Sequence, residues 1–136
     1  MTRARLLAVS SIALTTIVLG SCQRVEHAVL MQFFAASRLR DLTALATVST
    51  VVFEPTTDGT VTTFHITDIG PERRTGSEIT KDVIVDAPVR MPSGQSVQKT
   101  LRVTLRLAAR GENSAVDRWM VTGFKDATPA AATPRS

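Results

Sequence analysis

The sequence predicts an α+β domain: an N-terminal helix pair packed on a curved antiparallel sheet of four to five strands. Three observations carry that prediction. No Gly or Pro occurs between Cys22 and Phe53, whereas β-branched residues and turn signals dominate after Thr47. Apolar residues recur first with the period of a helix and later with the period of a strand. Helices that precede a run of hairpin-linked strands belong on one face of a meander.

Val25 to about Val48 reads as helical. Leu30, Phe33, Phe34 and Ser37 mark one face at the i, i+3, i+4, i+7 spacing. A break is expected near Arg40-Asp41, with Asp41 as N-cap of a short second helix whose Leu42, Leu45 and Ala46 share a side. Glu54 to Gly59 is a turn, since Asp58-Gly59 supplies the positive-φ position that a tight turn needs. Thr60 to Ile69 then reads as a strand with Phe64 and Ile66 on one face, ended by Gly70-Pro71. Glu78 to Val89 is the next strand, with Val83, Val85 and Ala87 in alternation, and Met91-Pro92-Ser93-Gly94 turns the chain.

Leu101 to Leu107 shows the clearest alternation. Leu101, Val103, Leu105 and Leu107 point one way, and Arg102, Thr104 and Arg106 the other. Gly111-Glu112-Asn113 makes the last turn, and Val116 to Phe124 closes the sheet. Residues 127–136, Ala and Thr with Pro129 and Pro134, read as a disordered tail.

The first 22 residues have a different character. Arg3 and Arg5 precede Leu6 to Leu19, a run of 14 residues without a charge. That length suits the apolar region of an export signal and is short for a bilayer span, which takes about 20 residues. The run ends in Leu19-Gly20-Ser21-Cys22, which resembles the lipobox of bacterial lipoproteins: an aliphatic residue, two small residues, then cysteine. The resemblance implies thiol acylation at Cys22, cleavage after Ser21, and acylation of the new amine. Two or three chains anchor stably where one does not. Gln23, where an aspartate would signal retention, points to the outer membrane, with the domain facing the periplasm. The organisation expected is therefore a signal peptide over 1–21, one lipid-anchored domain over 22–126, and the tail.

Removing Arg3 and Arg5 from the 16 basic residues leaves 14 against 12 acidic, a net of +2 for the remaining chain. No clustered basic stripe is evident, so nucleic acid is not an expected partner. A single cysteine allows no internal disulfide, and burial and hydrogen bonding must hold the fold.

Two stretches resemble the nuclear transport factor 2-like superfamily, the cone-shaped fold shared with cystatin-like domains. Val29 to Leu42 looks like its opening helix, with an aromatic pair, small residues, and an acidic residue before a leucine. Asp117 to Phe124 is similar to its closing strand, where a tryptophan follows a polar turn. With the element order, the likeness covers roughly residues 25–125. Two helices stand here where larger members have three, which counts against a deep enclosed pocket. Domains of this fold often pair through the outer face of the sheet, so the resemblance implies a homodimer as one partner.

Enzymes of that superfamily use an acid–base set, and the ketosteroid-isomerase-like version pairs an aspartate base with a tyrosine donor. The chain has no Tyr, so that version is excluded. His65, with Asp68 or Asp86, is the remaining candidate base, although alternation sets it opposite Phe64 and Ile66, on the wet face. His27 reads as part of a solvated helix start. No spacing suits a metal, and no glycine-rich loop suits a phosphate. Gln95-Ser96-Val97-Gln98-Lys99 only partly matches the inhibitory hairpin of cystatins, with Lys99 in place of its glycine. Arg102 and Arg106 on the sheet, and Arg73 and Arg74 in a loop, are candidates for contact with lipid phosphates, against the plainer reading of a wet face. Val61 and Ile84 leave room for a partner on an exposed patch.

The function expected is that of a membrane-anchored lipoprotein of the cell envelope, with a non-enzymatic domain that binds an envelope protein. The alternatives are a carrier of small hydrophobic ligands and an enzyme of the nuclear transport factor 2-like superfamily. Cys22 is the expected lipidation site. No catalytic, metal or cofactor-binding residue is assigned.

Overall fold

The computed structural model describes residues 24–108 and 119–129. The expected signal peptide, the lipobox with Cys22, the turn at Gly111-Glu112-Asn113, the start of the last strand at 116–118 and positions 130–136 lie outside the described residues.

Helix α1 spans Arg24–Leu39 and helix α2 spans Leu42–Ala46. Ala36, Ser37, Arg40 and Asp41 account for the break between them. Arg40 takes a left-handed conformation, φ 53°. Its N–H bonds the Ser37 carbonyl at 3.2 Å, and the Asp41 N–H bonds the Ala36 carbonyl at 3.0 Å. This pair of bonds is a Schellman C-cap, formed without the usual glycine at a cost of about 1–2 kcal/mol. The Asp41 carboxylate then accepts from the Ala44 N–H at 3.1 Å and caps α2. Leu30, Phe33, Phe34 and Ser37 are all buried, as their spacing predicts. The expected apolar side of α2 needs correcting. Leu45 is buried, but Leu42 and Ala46 are exposed. A helix of five residues presents only one turn to the core, and Leu45 fills it.

Among the described residues six strands follow: β1 (Thr60–Val61), β2 (His65–Ile69), β3 (Arg73–Thr75), β4 (Glu78–Arg90), β5 (Ser96–Leu107) and β6 (Trp119–Asp126). All pair antiparallel in one strongly curled sheet that forms a half-barrel. The expected four to five strands become six because β1, β2 and β3 succeed one another along a single edge of β4. The expected strand over 60–69 is accordingly split between Val61 and His65. Register shifts at Ile66/Asp68 and Thr104/Leu105 add residues on one side of a ladder, which bends and twists it. The first also turns Asp68 outward beside Ile84 and Ile69 inward beside Val83.

Gly59 has φ +96° and lies so close to β4 that a Cβ would sit 2.6 Å from the Arg90 carbonyl oxygen. The Asp58-Gly59 turn therefore needs glycine both for its backbone angle and for space. At the other edge, Val121 donates to the Val48 carbonyl and accepts from the Thr50 N–H, a short parallel bridge that ties the helix exit to the last strand. The Ala127 N–H and Thr128 Oγ1 hydrogen-bond Thr100, so the beginning of the expected tail runs on beside β5.

The core lies between the helices and the concave face of the sheet. Val29, Leu30 and Phe33 meet Val83, Val85, Val89, Val103, Leu105 and Val121 there. Val61, expected on an exposed patch, is also in this core, while Ile84 lies half-buried on the outer face. The reason is register: Val61 pairs with the inward Val89.

Candidate functional site

All five phenylalanines of the chain meet inside the half-barrel. Phe34 touches Phe33, Phe53 and Phe64 at centroid distances of 5.2, 5.4 and 5.5 Å. Phe124 lies 4.9 Å from Phe53 and 6.0 Å from Phe33. These spacings fall in the range of attractive tilted and edge contacts. His27 extends the series at the helix start, with its ring 4.8 Å from Phe64 and its exposed edge toward solvent. Among the described residues these rings pack on one another along the concave side of the sheet. At the rim, beside Phe53 and Phe124, a recess of about 250 Å³ is bordered by Asp58, Lys99 and Asp126. Lys99 and Asp126 pair across it at 3.4 Å. Hydrogen bonds from the Thr128 hydroxyl and N–H, and the charge of Lys99, hold the Asp126 carboxyl below the usual aspartate range against a small opposing effect of burial.

One pair of charges lies inside this apolar layer. Lys81 Nζ donates to Glu26 Oε1 at 2.5 Å, and the two residues are only 7% and 5% exposed. The ammonium also lies 4.0 Å from the ring centroid of Trp119, a cation–π contact. Glu26 occupies the first turn of α1, where a carboxylate is favoured by the helix dipole. Its second oxygen, Oε2, is buried and has no hydrogen-bond partner among the described residues. Sequence reasoning did not single out this pair, though a signal was present. Lys81 precedes Val83, Val85 and Ala87 at the same period of two, and Glu26 precedes Leu30, Phe33 and Ser37 at the helical period.

The convex face of the sheet carries the candidate residues named from alternation. His65 lies directly across from Asp86 in the β2–β4 ladder, but the Asp86 carboxylate accepts from the Thr100 hydroxyl at 2.7 Å and no hydrogen bond joins it to His65. Asp68 stands two register steps away, opposite Ile84. The structure therefore places these three on one wet face, and among the described residues no hydrogen bond joins them to one another. Arg73 binds Asp82 through both terminal nitrogens, at 3.0 and 3.1 Å, and the Thr104 hydroxyl adds a bond of 2.9 Å. Partial burial works to raise the Asp82 pKa. The hydrogen bonds of Arg73 and Thr104 and the charges of Arg73 and Arg102 outweigh it and hold the carboxyl below the usual range. Arg102 and Lys125 are cross-strand neighbours beside this cluster and border a shallow recess of about 450 Å³. Arg106 lies 3.8 Å from Glu78, and Arg74 is exposed opposite Ile79. The four arginines thus do not form one patch: Arg73 and Arg106 have carboxylate partners, and acids alternate with the bases.

The exterior of the helices differs. Met31, Leu39 and Leu42 are 55%, 71% and 70% exposed. From Ala28 to Ser37, and again from Leu42 to Phe53, there is no charged residue. No described helix is long and apolar enough to cross a membrane, and among the described residues no three His, Cys, Asp or Glu side chains gather as a metal site would require. Comparisons with protein families, curated proteins and solved structures give no match to this chain.

Proposed function

We propose that the protein is a bacterial envelope lipoprotein, cleaved before Cys22 and held at a membrane by acyl chains on that residue, with a non-enzymatic binding domain. The observation that carries this reading is the register of the leader: two arginines, an uncharged run of 14 residues, then Leu19-Gly20-Ser21-Cys22. The helix-plus-curved-sheet architecture is compatible with a nuclear transport factor 2-like domain, and we propose that membership on the stretches Val29–Leu42 and Asp117–Phe124. The mutual packing of Phe33, Phe34, Phe53, Phe64 and Phe124 supports a domain that works through its surface, because these rings already have one another as partners. An outer-membrane location facing the periplasm and an envelope protein partner belong to the same proposal.

Intact mass of the protein extracted in detergent from its native host tests the reading. The expected mass is that of residues 22–136 plus two or three acyl chains, and Cys22→Ser should lose the lipid and leave precursor or soluble protein. A wild-type mass without lipid, starting elsewhere than Cys22, would refute the proposal.

A further inference from the structure

We infer that the exposed apolar face of α1 and α2 lies on the lipid surface, so that the domain is docked flat on its membrane and does not swing from the anchor. This rests on lipidation at Cys22. The helix begins at Arg24, two residues after Cys22. A fully extended chain of that length spans only ~7 Å, so the first turn of α1 is confined to the acyl chains' immediate neighbourhood.

Among the faces within that reach, α1 presents one suited to lipid. Ala28, Met31, Ala35 and Leu39 recur at steps of three and four, and all four keep exposure to solvent. They form a stripe distinct from the buried Leu30-Phe33-Ser37 face. Leu42 continues it across the Arg40 turn. At 1.5 Å per residue, Met31 lies ~10 Å and Leu39 ~22 Å along the axis from Arg24, so the stripe leads directly away from the anchor. His27, Gln32 and Thr43 are polar residues along its border, and Arg38 and Arg40 flank Leu39. Arg40 is matched by Glu54 at 2.9 Å. Arg38 donates to the neutral Val61 carbonyl and keeps its net charge, which complements anionic headgroups. An apolar helix face with a cation at its border settles ~5–10 Å into the headgroup boundary. The convex sheet face lies across the core from the helices and carries Glu78, Asp82, Asp86, Arg102 and Arg106, which suit water.

The single cysteine makes the test direct, because once Cys22 is acylated an introduced cysteine is the only free thiol. Met31→Cys, Leu39→Cys and, on the exposed sheet face, Gln98→Cys would be made in the full chain and labelled with an environment-sensitive fluorophore. The purified lipidated proteins would be placed in vesicles of phosphatidylethanolamine and phosphatidylglycerol after intact mass has confirmed acylation. The expected result is blue-shifted emission, quenching by brominated lipid and loss of iodide quenching at 31 and 39, with the label at 98 open to iodide. Equal iodide access at all three positions overturns the docking and leaves the anchor standing. Labels at 31 and 39 shielded from iodide yet untouched by brominated lipid also overturn it, and point to a second copy or another protein on that face. A mass without lipid removes the anchor and this inference together.

Discussion

Lys81 and Asp82 are adjacent on β4 and face opposite ways. Lys81 points among Val83, Val85 and Trp119 and meets Glu26 as its ionic partner, whereas Asp82 points outward and is held by Arg73 and Thr104 within reach of water. Both are ion pairs of good geometry, yet they have different worth. Removing one charge from the inner pair strands the other in an apolar layer, while water and neighbouring arginines can compensate for a loss outside. Strand alternation thus decides what a charge costs as well as where it points.

The largest effect should come from breaking the inner pair. Lys81→Met or Glu26→Leu alone is expected to destabilise the domain by about 3–5 kcal/mol, and the double replacement to recover most of that loss. Denaturant midpoints of the three variants measure it, and a double variant no better than the singles would show that packing around Trp119, not charge, makes the site sensitive. Gly59→Ala should follow, at about 1–3 kcal/mol, from left-handed strain plus the clash with the Arg90 carbonyl. On the outer face, Asp82→Asn should cost about 1 kcal/mol at neutral pH. Because the folded pKa of Asp82 is depressed, its contribution is full above the ordinary aspartate range near ~4 and is lost as pH falls through the lower folded value. Wild type and Asp82→Asn should therefore converge in strong acid, and a gap that stayed constant with pH would contradict the assigned cause. The smallest change in stability, within about 0.5 kcal/mol, is expected for Met31→Ser and Leu39→Ser. A fall well beyond that in thermal melting would mean that those side chains serve the fold.

The regular elements were readable because their signals are local. Phe33, Phe34 and Ser37 fix the buried face of α1, and Val83, Val85 and Ala87 fix that of β4. Asp41 marked the helix break, although Arg40, which adopts the left-handed angle, is not a residue that advertises it. Pairing was less readable. Nothing local in Thr60 to Thr75 says that three short strands share one edge of β4, or that a bulge after Ile66 reverses Asp68 and Ile69. The Glu26–Lys81 contact joins residues 55 apart, and each end was visible only as a charge on an otherwise apolar face. Exposure of Leu42 depends on how little of α2 reaches the core, which periodicity does not encode.

The bridge between Val48, Thr50 and Val121 has a consequence for timing. The Ser49 hydroxyl donates to the Val121 carbonyl across 72 positions of the chain, and Trp119 completes the surroundings of Lys81. The barrel edge therefore stays open until β6 has been supplied, and contacts of such separation form late because the loop must close first. A chain that lacks β6 leaves Val48 and Thr50 without their bridge and Lys81 without its ring, so the arrival of that strand is what seals this edge of the sheet.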